Sequence, residues 1–139
     1  MILVDTSVLV GLCDRRDGLH ARALQDLDRV GRRPMATCDS VLTEACFLLD
    51  HPIQRQRLAR LLDQLPIRAV DSDGESLHGP IFVWLWQYRD HSPDWADAHL
   101  VTLLTRTRGS KIWTYDREFS TVWRKLDGKR IPLFVDPAG

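Results

Sequence analysis

Apolar residues along this chain come in short bursts, separated by longer stretches where they recur every three or four positions. The bursts are residues 2–4, 35–38, 67–70, 111–114 and 131–135, each too brief for a helix and each reading as a buried strand. Between them, Leu19, Ala23, Leu24, Leu27 and Val30 fall at helical spacing, with Gly31 as a stop. Leu58, Leu61, Leu62 and Leu65 line one face of a helix over residues 53–65, which Pro66 ends. A further helix opens at Ser92-Pro93 and runs to about Thr107, before Gly109. Asp5-Thr6-Ser7 offer cap oxygens to a first short helix over residues 8–12, and Asp39 or Ser40 caps the helix that carries Glu44. Residues 74–88 are ambiguous. Phe82, Trp84, Trp86 and Tyr88 alternate as in a strand, but length and setting favour a helix with Pro80 near its start or at a kink.

Short strands alternating with helices predict an α/β fold, a three-layer α/β/α sandwich around a central parallel sheet. At 139 residues, with no repeat or long linker, the whole chain reads as a single domain. Its 44% hydrophobic and 27% charged content fits a soluble globular protein. The longest apolar stretch, residues 81–86, is far too short to cross a bilayer, and no secretory signal precedes the first strand. Cys13, Cys38 and Cys46 lack Cys-x-x-Cys spacing and read as reduced core thiols, so the expected location is the cytoplasm. Zero formal net charge gives no global case for a polyanionic partner. The stretch from Ala98 to Pro132 nevertheless holds eight Lys/Arg against three acids, a local excess that suits phosphate contacts or a solvated surface.

Against this pattern four acids stand out. Asp5 ends the burst at residues 2–4, and Asp116 follows Ile112-Trp113-Thr114-Tyr115. Glu44 interrupts an apolar run, and Asp97 lies between two alanines. A buried ionised carboxylate is costly unless a cation or hydrogen bonds compensate it. In parallel sheets sites form at the carboxyl ends of strands, where Asp5 and Asp116 fall. Glu44 and Asp97, expected in the opening turns of helices, start from the same edge. Hard oxygen ligands so gathered suggest magnesium or manganese. Asp94 shares a helix face with Asp97 and is a further candidate ligand, while Thr6, Ser7 and Thr114 supply neutral oxygens that orient carboxylates or hold waters. Each acid also has a plainer role: Asp5 and Asp94 as helix caps, Asp116 as a turn residue.

Four segments carry a resemblance. Met1 through Leu9 with Asp5-Thr-Ser, Leu42-Thr-Glu44-Ala, Pro93-Asp94-Trp-Ala-Asp97-Ala-His, and Ile112-Trp-Thr114-Tyr-Asp116-Arg-Glu-Phe119 resemble, in order and spacing, the four motifs of PIN-domain ribonucleases. Among these, the VapC-like toxins of type II toxin–antitoxin systems are the most similar. The resemblance spans Met1 to about Phe134; only the aromatic segment from Gly74 to Arg89, with Gly79-Pro80, departs from it. It implies a magnesium-dependent endoribonuclease, usually a homodimer, held inactive by a co-encoded antitoxin. Asp5, Glu44, Asp97 and Asp116 then take the acidic catalytic positions, with Asp5 and Asp97 most directly on metal. The chemistry expected is hydrolysis of an RNA phosphodiester by metal-activated water, with Asp116 or Glu44 able to take a proton. Arg117 and Arg124 are candidates for substrate phosphates. His99 reads as a surface or supporting histidine rather than a ligand. Trp84, Trp86 and Tyr88 suit core packing or a protein interface better than base stacking. Three alternatives stand beside this reading: a catalytically silent α/β binding module, a PIN-type nuclease outside any toxin–antitoxin pair, and an RNase H-like nuclease, which would need early antiparallel hairpins.

Overall fold

Successive side chains on a strand point to opposite faces, yet Ile2, Leu3 and Val4 are all buried. Both faces of this strand, β1 (Ile2–Val4), are therefore covered, and so are those of β2 (Met35–Thr37). The computed structural model describes residues 1–70 and 76–139. With β3 (Ile67–Ala69) and β4 (Lys111–Trp113) these strands form one four-stranded sheet of order β3-β2-β1-β4. Every pairing is parallel: Ile2 lies opposite Met35 and Lys111, and Met35 opposite Ile67. Parallel neighbours require long crossovers, and helices supply them. That arrangement excludes the RNase H-like alternative. The predicted α/β/α sandwich is what forms.

The helices among the described residues are α1 (Thr6–Cys13), α2 (His20–Val30), α3 (Asp39–Leu48), α4 (Pro52–Gln64), α5 (His78–Gln87), α6 (Trp95–Arg106) and α7 (Glu118–Thr121), with a 3-10 turn at Arg89–His91. α1 packs on α2, α3 and α4, while α6 packs on α5, α3 and β4. Cys13 and Cys38 are buried free thiols, as expected of core residues.

Three sequence expectations need correction. The fifth burst, residues 131–135, does not extend the sheet as a strand. It makes a single parallel bridge, Ile112 to Leu133, because Pro132 has no N–H to donate. The bridge is held by Ile112 N donating to the Pro132 carbonyl at 2.9 Å and Phe134 N to the Ile112 carbonyl at 2.8 Å. Secondly, neither Asp39 nor Ser40 caps α3. Cys38 occupies that position without a side-chain cap, since the Ser40 hydroxyl is engaged by the His99 ring. Thirdly, Glu44 is the sixth residue of α3, one turn deeper than expected.

The ambiguous aromatic segment is a helix from His78, with Pro80 in its first turn; residues 74 and 75 lie outside the described residues. Its strand-like alternation has a helical explanation. Residues two apart on a helix face nearly opposite ways, while residues four apart share a face. Trp84 and Tyr88 therefore point inward together, their rings 4.8 Å apart and both against Trp123, at 5.1 and 5.4 Å. The Trp84 indole also donates to the Arg124 carbonyl at 2.8 Å. Phe82 and Trp86 form the opposite stripe and are exposed. Only the inner stripe is core.

Trp84→Ala is accordingly expected to lower stability by about 3–5 kcal/mol, and Trp86→Ala to change it by less than about 0.5 kcal/mol. Urea denaturation of both variants checks this; equal losses would show that the two stripes are not energetically separate.

Candidate active site

The order β3-β2-β1-β4 means that chain connections run one way from β1 through β2 to β3, then cross back to β4 on β1's other side. The crevice where that reversal occurs lies at the carboxyl ends of β1 and β4. Asp5 leaves β1 there, and Thr114 leaves β4. Thr114 Oγ1 donates to Asp5 Oδ2 at 2.6 Å, joining the two strand ends through side chains. Asp5 N donates to the Trp113 carbonyl at 3.0 Å and joins them through backbone. Ser7, in the first turn of α1, completes the seam. Its hydroxyl donates to Asp5 Oδ2 at 3.3 Å and accepts from Tyr115 N at 3.0 Å. Asp116 N donates in turn to Thr114 Oγ1 at 3.0 Å.

Asp5 occupies the cap position of α1, yet its carboxylate does not cap the helix. The plainer reading of Asp5 thus fails: its carboxylate is turned onto Thr114 and Ser7. Asp94 differs, because Oδ1 caps α6 by accepting from Asp97 N at 2.8 Å. Asp116 likewise accepts from Glu118 N at 2.9 Å and so tightens the entry to α7. Both acids therefore carry a structural role. Asp97 stands in the first turn of α6 and is half-buried, as is Glu44 on α3.

These acids lie in a common electrostatic field. Burial pushes Asp5 up to about 6; the Thr114 hydroxyl and the Thr6 N–H oppose that rise, and Asp116 and Asp94 add to it. Glu44 is raised to about 7, first by burial and then by Asp94, Asp5 and Asp116. Asp97 is raised furthest, to about 9, by burial and by Asp94, Asp5, Asp116 and Glu44. Every charged group that shifts these three acids most strongly is another acid. Thr6 adds a second sign of incompleteness. Its buried hydroxyl is near enough to ease the Glu44 shift, yet finds no partner within hydrogen-bond distance among the described residues.

Hard oxygen donors, uncompensated negative charge and an orphaned hydroxyl form a donor set that fits a hard divalent cation. Asp5 and Asp97 could hold such an ion, and Asp94 and Asp116 act on both through their charge. The acids do not form a closed cage: among the described residues no three side chains of ligating type converge on one point.

The two predicted phosphate contacts separate. Arg117 is exposed at the start of α7. Arg124 is turned onto its own chain, its guanidinium donating to the carbonyls of Trp123 at 2.8 Å and Ser120 at 3.4 Å. Two features escaped the sequence reading. His99 on α6 is half-buried and pairs with Ser40 on α3. Asp26, buried on α2, accepts from the Tyr115 hydroxyl at 2.9 Å and pairs with Arg22 and Arg29, pinning the residue between Thr114 and Asp116. A signal for Asp26 was present, because it falls on the helical stripe of Ala23 and Val30.

Asp5, Glu44 and Asp97 release protons near pH 4 in an unfolded chain but hold them to about 6, 7 and 9 in the folded one. The folded chain binds more protons across that window, so its stability falls as pH rises from about 4 towards 9. In EDTA the melting temperature should drop between about pH 5 and pH 8. Asp97→Asn should flatten that slope and raise the melting temperature near pH 8 by about 3 °C or more. A profile rising with pH, or an unaltered slope in the variant, would contradict the shared field.

The comparisons with known proteins agree with this arrangement. The PIN domain family pattern matches residues 2–125. No curated protein matches the sequence. Among solved structures, the crystal structure of the Mycobacterium tuberculosis toxin VapC20, a Sarcin-Ricin loop cleaving toxin, superposes with a TM-score of 0.69 at 21% identity, covering 87% of this chain and 94% of that one. That is a likeness of fold; the family match, which takes in β1 through β4 and all the clustered acids, carries further. The chain belongs to the PIN domain family.

Proposed function

We propose that the protein is a metal-dependent endoribonuclease, the toxin of a toxin–antitoxin pair, with magnesium as its ion and manganese as a substitute. One observation carries the reading: at the strand-order reversal Asp5, Glu44 and Asp97 are raised by burial and by neighbouring acids, Asp94 and Asp116 among them, with no cation among the strongest influences. A structural cluster of carboxylates would be expected to carry its own Arg or Lys partners. Family membership supports nuclease chemistry, and the fold likeness to VapC20, a toxin that cleaves the Sarcin-Ricin loop, supports RNA as the substrate.

In this reading Asp5 and Asp97 would hold the ion. When bound, magnesium supplies a more acidic attacking water and stabilises charge building on the phosphate and the leaving 3′-oxygen. The chain's own residues do the rest. Thr114 and Ser7 fix the rotamer of Asp5 by donating to the same oxygen, Oδ2, which leaves Oδ1 for other contacts. Glu44 opens onto a cavity and titrates near neutrality in the metal-free chain, which suits it to take a proton from the water. Asp116 is the second candidate for that role, though one of its oxygens already serves Glu118. Asp94 sets the position of Asp97 through the α6 cap. Arg117, exposed beside Asp116, is the proposed contact for a substrate phosphate.

The reading includes a homodimer, inhibition by a co-encoded antitoxin, and action in the cytoplasm. No described helix is long and apolar enough to cross a membrane. The exposed stripe Phe82, Val83 and Trp86 on α5, with Ile53 on α4, offers apolar surface for such protein partners.

Asp5→Asn and Asp97→Asn should each lower magnesium-dependent cleavage of single-stranded RNA by about a hundredfold or more. Thr114→Val, which removes only the orienting hydroxyl, should lower it by about 10–100-fold. EDTA should abolish cleavage in the unaltered protein. Wild-type rates in either Asn variant, or cleavage that persists in EDTA, would refute the assignment.

A further inference from the structure

Beside the carboxylates lies a cavity of about 720 Å³ whose make-up is unlike theirs. Glu44 and Asp94 form its border with the acidic centre, but the remaining walls are mostly apolar: Phe47 and Thr43 from α3, Trp95 and Ala96 from α6. Both aromatic rings are open to solvent, Phe47 at 80% and Trp95 at 40%. Trp95 is also held in place, since Phe82 of α5 meets it edge-on with ring centroids 5.2 Å apart. Besides Glu44, Asp94 and the Thr43 hydroxyl, which donates to the Asp39 carbonyl, the polar lining is Asp39, Ser40 and His99, the last two joined by a hydrogen bond across α3 and α6.

From this arrangement we infer a nucleobase subsite. The cavity takes an unpaired base adjacent to the phosphate being cut, with Trp95 as its stacking platform and Ser40–His99 as its polar reader. The inference rests on the proposed ribonuclease function and adds to it a place where sequence is sensed. Three features favour a base over a protein side chain as occupant. The cavity is continuous with the acids that would act on the phosphodiester, and a base must lie within a nucleotide's reach of that phosphate. Its wall presents an indole oriented by a second ring, and stacking on such a surface is the usual means of holding a single-stranded base. Its polar lining includes a coupled hydroxyl–imidazole pair able to donate or accept, beside the Asp39 carboxylate, as base-edge recognition requires. Trp95 carries the affinity, and Ser40 with His99 the preference among bases.

The test uses the full chain in calcium, with two short fluorescein-labelled single-stranded RNAs of equal length. One has mixed sequence; the other has abasic sugars throughout. By fluorescence anisotropy the unaltered protein should bind the base-bearing strand about tenfold more tightly. Trp95→Ala should abolish that preference and bind both strands as weakly as the abasic one, while Trp95→Phe retains part of it. Ser40→Ala and His99→Gln should leave abasic binding unchanged and alter the ranking among homopolymers. Melting temperatures close to that of the unaltered protein establish that the variants fold. Equal binding of the two strands, or a preference that survives Trp95→Ala, overturns the subsite and leaves the groove to a protein partner. Cleavage of RNA without any base preference would sink this inference alone, whereas absence of RNA cleavage would sink the proposed function.

Discussion

A single short hydrogen bond, from the Thr114 hydroxyl to the Asp5 carboxylate, joins the ends of the two strands between which the sheet reverses its order. Everything at the candidate site is referenced to that seam. Asp5 is buried at the start of α1, so its negative charge needs partners, and the nearest are two hydroxyls and a backbone N–H. Those partners fix where α1 leaves β1 and where Asp116 leaves β4. They moderate the cost of burying the charge but do not cancel it. What the seam leaves over is a carboxylate in a defined place, its burial only partly offset.

The surrounding acids make that demand stronger. Glu44 and Asp97 come from helices on different crossovers, and each is raised by the others' charge. A fold seeking only stability would place a Lys or Arg among them, and the chain has nineteen to draw on. Several of its cations are instead committed elsewhere: Arg22 and Arg29 to Asp26, Arg55 to the carbonyls that end α3, Arg124 to its own backbone. The free energy lost to repulsion is stored at the place where a bound ion would recover it, a familiar relation between strain and function.

Much of this was legible in the sequence because the signals were local. Apolar bursts marked all four strands, and an acid at or just past the end of a burst located Asp5 and Asp116 without any tertiary knowledge. Glu44 was legible as a misfit in an apolar run, although Phe47 and Leu48 of that run prove exposed. Depth along a helix was less legible, since the start of α3 depends on where Ser40 spends its hydroxyl, and that partner is fifty-nine residues away. The Asp26–Tyr115 contact spans eighty-nine residues and no local pattern encodes it. The fifth burst forms no strand for a local reason, the proline within it.

That proline has an effect of its own. β4 would otherwise end the sheet as an open edge, a row of unpaired backbone groups able to recruit a strand from another molecule. Leu133 and its neighbours cover that row, with the carbonyls of Asp136 and Pro137 tied to Arg22 on α2. The Pro132 carbonyl accepts from Ile112 N, so its ring nitrogen also faces β4, and the missing N–H stops the bridge from lengthening inward along that edge. The β4 edge is thus covered by an irregular segment with a single bridge, which leaves another chain little straight backbone to pair with.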